Sequence, residues 1–105
     1  MKLIITNHAR LRAKQRFNWR LESLKRMAIR SIKSGLDVTN ANGKIQKYIN
    51  NLAINHNGRA NNVKIYGEQI YLFRDEVLLT VLHLPNELKS ISRKTRGRKH
   101  NEIQN

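Results

Sequence analysis

The feature that most limits what this 105-residue chain can fold into is a change of hydrophobic period partway along it. Upstream, apolar residues return every three or four positions, as on a helix face; downstream they alternate or run together, as in strands. Leu21, Leu24, Ala28 and Ile32, with Ile29 beside them, mark one side of a helix over roughly residues 20–34. Before it, "NHARLRAKQRF" predicts a shorter helix ending at about Phe17, with Ala9, Ala13 and Phe17 inward. Thr6 or Asn7 would cap that helix by accepting a bond from an orphan N–H. Asn18 reads as the cap of the second helix and Gly35 as the residue that stops it. A third helix is expected across "GKIQKYINNLA", where Ile45, Ile49 and Leu52 recur.

After "NHNGRANN" the pattern becomes "NVKIY", "QIYLF" and "VLLTVLHL", separated by "GE" and "RDE" at hairpin distance. An antiparallel meander follows, ended by Pro85, with "KLII" as a further β-like run near the start. In its last strand Val77, Leu79, Val81 and His83 should share one face, and Leu78, Thr80, Leu82 and Leu84 the other. The expected fold is α+β: two or three N-terminal helices packed on a three- to four-stranded antiparallel sheet. Residues 1–88 would form this one domain. Residues 89–105, with six basic side chains and one acid, would form a basic tail, disordered on its own.

Charge narrows the partners. Lysine and arginine number 21 against 7 acids, a formal charge of +14. That imbalance draws polyanions to the surface, and nucleic acid is the leading class, RNA in particular. There is no cysteine, which excludes disulfides, thiolate metal sites and cysteine nucleophiles. No run approaches a signal-peptide core or a membrane span, so a cytoplasmic protein without membrane contact is expected. His8, His56, His83 and His100 and the seven acids show no metal-ligand spacing, and no glycine-rich phosphate loop is present. No metal and no cofactor are expected. Asp75-Glu76 reads as a turn former.

Within "TNHARLRAKQRF", His8, Arg12 and Arg16 stack in an i, i+4, i+8 row that borders the buried stripe. Arg10 and Lys14 point further out, as solvated charges. Metal-free RNA cleavage, in which the ribose 2′-OH attacks its own phosphate, needs an acid, a base and charge stabilisation. Histidine suits proton transfer near neutral pH, and arginine holds phosphoryl oxygens in a fork. A threonine or tyrosine hydroxyl, such as that of Thr80, would position a phosphate oxygen. Such a row also serves as simple phosphate-binding surface.

The stretch "ITNHARLRAKQRF", the amphipathic helix after it and "NNVKIYGEQIYLF…LLTVLHLP" resemble a family of small phage and bacterial proteins. That family is related to metal-independent ribonuclease toxins of the barnase, EndoU, colicin and RelE type. The shared pattern is an H-A-x-x-R-x-x-x-R-like helix and a final strand with an I/L-T-V core, here His8-Ala9, Arg12, Arg16 and Leu79-Thr80-Val81. The resemblance covers about residues 3–88. It implies a cleft between helix and sheet, His8 as general acid or base, Arg12 and Arg16 on phosphate, and Thr80 as an active-site hydroxyl. Tyr71 and Tyr66 are the alternatives for a second acid–base group.

Other side chains carry two readings each. His83 in an apolar strand reads as a hydrogen-bonded core histidine, His56 as a solvated loop residue, and Trp19 as core filler or staple, with base stacking as the other option. Lys25, Arg26, Arg30 and Lys33 form the outward face of the second helix and a candidate phosphate track, joined by Arg20 and Lys64. Arg93, Lys94, Arg96, Arg98 and Lys99 in the tail read as a basic arm. The functional expectation is an RNA-binding, metal-independent endoribonuclease-like phage or toxin protein. The alternative is a non-catalytic nucleic-acid-binding or regulatory phage protein, or one that docks on a host protein; an inhibitor partner is also open. Geometry separates the first two: catalysis requires His8, one arginine and Thr80 or a tyrosine to converge on one concave site.

Overall fold

A computed structural model describes residues 2–38, 47–48, 51, 60–86 and 88–89. In chain order the elements are β1 (Ile4–Ile5), α1 (Asn7–Phe17), α2 (Leu21–Ser34), β2 (Leu36–Asp37), β3 (Asn62–Tyr66), β4 (Gln69–Arg74) and β5 (Val77–His83). The fold is α+β, as expected. The sheet is larger than expected and mixed, with five strands in the order β1-β5-β4-β3-β2. β1 runs parallel to β5, pairing Ile4 with Val77 and Ile5 with Leu78, whereas the other neighbours are antiparallel. Of the third helix, Lys47, Tyr48 and Asn51 are helical and the rest of that segment lies outside the described residues. Among the described residues no helix is long and apolar enough to cross a membrane.

Thr6 sets the entry of α1. It stands in extended backbone at the N-cap, and its Oγ1 accepts from the Ala9 N–H at 3.0 Å. The same hydroxyl donates toward the Leu78 and Leu79 carbonyls, at 3.1 and 3.2 Å, so the helix start is fastened to β5. Ala9 and Ala13 are fully buried against that strand. Their small side chains let the helix backbone lie close to the sheet. Asn18, which reads in the sequence as the start of α2, instead ends α1: it is left-handed (φ 56°) and its N–H returns to the Ala13 and Lys14 carbonyls. Asparagine tolerates that conformation better than most non-glycine residues. The N-cap of α2 is Arg20, which makes no side-chain capping bond.

α2 buries Leu24, Ala28 and Ser31, with Met27 and Ile32 partly covered. Gly35 stops it in extended rather than left-handed backbone. A side chain is excluded there because a Cβ would run into the Ser31 carbonyl oxygen and lie 3.0 Å from that of Ile65.

Both hairpins fall where the turn residues put them. Gly67 takes φ 62° in the β3–β4 turn and Asp75 takes φ 53° in the β4–β5 turn. Asp75 is held by a reciprocal pair with Asn61: its N–H donates to Asn61 Oδ1 at 2.9 Å, and Asn61 Nδ2 donates to its carboxylate at 3.0 Å.

The sheet is buried on both faces, which explains why β4 reads as a continuous apolar run. On one face Tyr71, Phe73, Leu78 and Val81 pack beneath α1 and α2. On the other Val63, Ile65, Ile70 and Leu72 pack with Val38, Leu84 and Leu88, and Tyr48 and Ala60 border them. A bulge separates the halves of β5. Phe73 pairs with Leu78 but Leu72 pairs with Thr80, leaving Leu79 as the extra residue. Simple alternation along β5 therefore fails. Leu78 joins Val81 on the helix face, and Thr80, which lies across from Leu72, faces away from the helices.

Candidate nucleic-acid interface

With successive residues about 100° apart, the buried Ala9–Ala13–Phe17 stripe divides the cations of α1 into two flanks. His8, Arg12 and Arg16 lie on one, and Arg10 and Lys14 on the other. Each flank meets a different part of the molecule.

The first flank follows the edge of β5 that β1 leaves uncovered. Arg16 Nη1 donates to the Val81 carbonyl at 2.8 Å and so supplies a partner for β5 backbone beyond the reach of β1. Burial, and then the neighbouring Arg12, lower the Arg16 pKa, with Tyr48 opposing the shift. Arginine starts so far above neutrality that it remains a cation. Arg12 Nη1 donates to Gln15 Oε1 at 3.0 Å, while its buried Nε has no partner among the described residues. Burial raises the Tyr48 phenol and Arg16 pulls it the other way. His8 is exposed on the same flank.

The hydroxyls expected to complete this flank are elsewhere. Thr80 is fully buried on the opposite face of the sheet, because the bulge sits between Leu78 and Thr80 and leaves Thr80 aligned with Leu72. Tyr71 does face the helices, but it is fully buried beneath them. Burial, and then Tyr66, push its phenol pKa far upward. Among the described residues neither Thr80 Oγ1 nor the Tyr71 hydroxyl has a hydrogen-bond partner. The expected convergence of His8, an arginine and Thr80 or Tyr71 in one cleft is therefore not formed. Tyr66 is a partly buried neighbour of the helix-side core.

The second flank opens on a cleft of about 610 Å³, lined by Arg10, Lys14, Asn18, Trp19, Arg20, Leu21 and Glu22. The chain reversal at Asn18 creates it by turning the uncapped start of α2 toward the side of α1. Orphan N–H groups and the positive end of the α2 dipole add to the cationic field there, against Glu22 as the one acid of the lining. Among the described residues Arg10, Lys14 and Arg20 make no ion pair. Arg10 and Lys14 are exposed, as expected of solvated charges, and both line this cleft. Sequence reasoning passed over them because the cleft depends on where Asn18 bends the chain.

Aromatic rings continue from this cleft along the surface. Trp19 stacks on Phe17 with centroids 4.7 Å apart and planes 28° apart. His83 meets the Phe17 ring at 4.4 Å and 56°. His83 is exposed, so the expectation of a core histidine is corrected: it pairs across from Gln69 near the strand's end, past the covering helix.

The other expected contacts divide. Arg20, Arg26 and Arg30, with Lys25 and Lys33, are exposed. Lys64 is mostly covered and its ammonium lies 3.1 Å from Asp37, so its charge is already engaged rather than offered to a ligand. Arg93, Lys94, Arg96, Arg98 and Lys99, like His56 and His100, lie outside the described residues. Among the described residues no three histidines, aspartates or glutamates gather as metal ligands would. No protein-family model matches the chain, and neither does any curated protein or solved structure.

Proposed function

We propose that this chain binds nucleic acid, RNA foremost, and that the α1–α2 cleft is its principal contact. The observation that carries this reading is the cleft itself: three cations that make no ion pair among the described residues, lining one cleft with Trp19 and Glu22, on a chain of charge +14. Electrostatic attraction to phosphate supplies affinity without sequence readout, and the exposed cations of α2 extend the same field. The test is titration of fluorescently labelled RNA at several salt concentrations. Binding that weakens steeply with salt supports the reading, and no binding at low salt overturns it.

Metal-independent cleavage remains a second reading on one observation: Arg12, Arg16 and the Tyr48 phenol lie near one another on the flank that carries His8. Two guanidinium groups there would hold a phosphate, with His8 moving a proton. RNA incubated with the protein in EDTA decides it. Products ending in 2′,3′-cyclic phosphate, lost in His8→Ala, support cleavage; intact RNA rejects it.

A further inference from the structure

The Trp19 ring, stacked on Phe17 at the border of the cleft, suggests which form of nucleic acid the cleft selects. From the stacked pair Phe17–Trp19, with His83 tilted against the far ring, we infer that the cleft takes single-stranded RNA, with an unpaired base stacked on Trp19. This rests on the nucleic-acid reading above and adds the strand state of the ligand. Phe17 covers one side of the indole, and Trp19 also borders the cleft. A base entering the cleft therefore meets aromatic surface, while its phosphates meet Arg10, Lys14 and Arg20. In a duplex the base faces are already stacked on one another and cannot reach the indole. An unpaired strand offers face and phosphate together, the combination by which sequence-tolerant single-strand binders work. The cleft volume, about 610 Å³, falls within the range of sites that enclose small organic groups. Its aromatic wall also separates it from a plain phosphate site, which would need no ring.

Trp19 is the only tryptophan of the chain, so the emission of the unmodified protein reports directly on this ring. Three probes are titrated into the full chain: a ten-nucleotide oligoadenylate, the same strand annealed to its complement, and inorganic polyphosphate as a polyanion without bases. The expected result is quenching of Trp19 by oligoadenylate alone, with the single strand bound more tightly than the duplex. Polyphosphate is expected to bind in a salt-sensitive way with emission unchanged. Trp19→Leu should lower oligoadenylate affinity on the order of tenfold and leave polyphosphate affinity as it was; Trp19→Phe, which keeps an aromatic ring at this position, should recover most of the loss. Equal affinity for single strand and duplex, or oligoadenylate binding without quenching, overturns the stacking inference and leaves nucleic-acid binding standing. If none of the three probes binds, the functional reading itself falls.

Discussion

Removing Arg10, Lys14 and Arg20 together, each to alanine, tests the cleft against every other basic surface of the chain. For single-stranded nucleic acid, each phosphate neutralised contributes roughly 0.7 to the slope of log K against log salt. If each of the three side chains engages one phosphate, the variant's slope is shallower by about 2. Between 50 and 200 mM salt, a fourfold change, the wild type then loses about twentyfold more affinity than the variant does. The assay is anisotropy of labelled oligoadenylate across that salt range, with single variants to apportion the slope. Melting temperature serves as the control. All three side chains are exposed and make no ion pair among the described residues, so folding stability should move by no more than about 0.5 kcal/mol. An unchanged slope in a folded triple variant would refute the assignment and move binding to α2, the β5 edge or the tail.

Thr6→Ala removes the α1 cap and the bond to β5 together, an expected cost of about 2 kcal/mol by thermal or urea unfolding, whereas Thr6→Ser keeps both and should lose far less. Gly35→Ala drives a methyl into the Ser31 carbonyl and should destabilise by about 1–3 kcal/mol in the same assay, and a neutral result would contradict the tight approach of α2 to β3. Tyr71→Phe and Thr80→Val each delete a buried hydroxyl without a partner among the described residues, so both should be neutral or stabilising by about 1 kcal/mol with RNA binding intact. Tyr71 also governs alkaline stability: its folded pKa lies above the ordinary value of 10.0, so the folded state holds its proton longer and stability is lost as pH rises past 10. Unfolding measured from pH 8 upward should show that decline in the wild type and a flatter limb in Tyr71→Phe.

Helix faces were the most readable part of the sequence, because the spacing that buries Ala9, Ala13, Leu24 and Ala28 is a local property of a regular helix. Gly67 and Asp75 were readable for a similar reason: each turn demands a backbone conformation that few residues accept. The sheet was less so. β1 and β2 are two residues long, too short for a period, and each exists through a partner distant in sequence. Nor does alternation reveal a bulge. One extra residue at Leu79 moved Leu78 to the helix face while Thr80 stayed on the other, and with it went the hydroxyl expected beside His8. Burial on both faces compounded this, since a strand covered on each side gives no polar residue to mark direction. In the site, the cationic character of α1 was plain, but its division into two flanks with different surroundings was not. The cleft arises from Asn18, whose side chain suits a helix beginning and a helix ending alike.

The pairing of β1 with β5 has a consequence for how the chain is made. Ile4 and Ile5 leave the ribosome more than seventy residues before Val77 and Leu78, the strand residues they pair with. Until then α1 lacks the strand it packs against most closely, and the Thr6 hydroxyl lacks its carbonyl partners. The element that starts the sequence is thus among the last to be placed, and closing so long a loop slows folding. During synthesis the cationic helix therefore emerges well before the strand that seats it. A stall before Val77 would release a nascent chain carrying that helix without the strand that seats it.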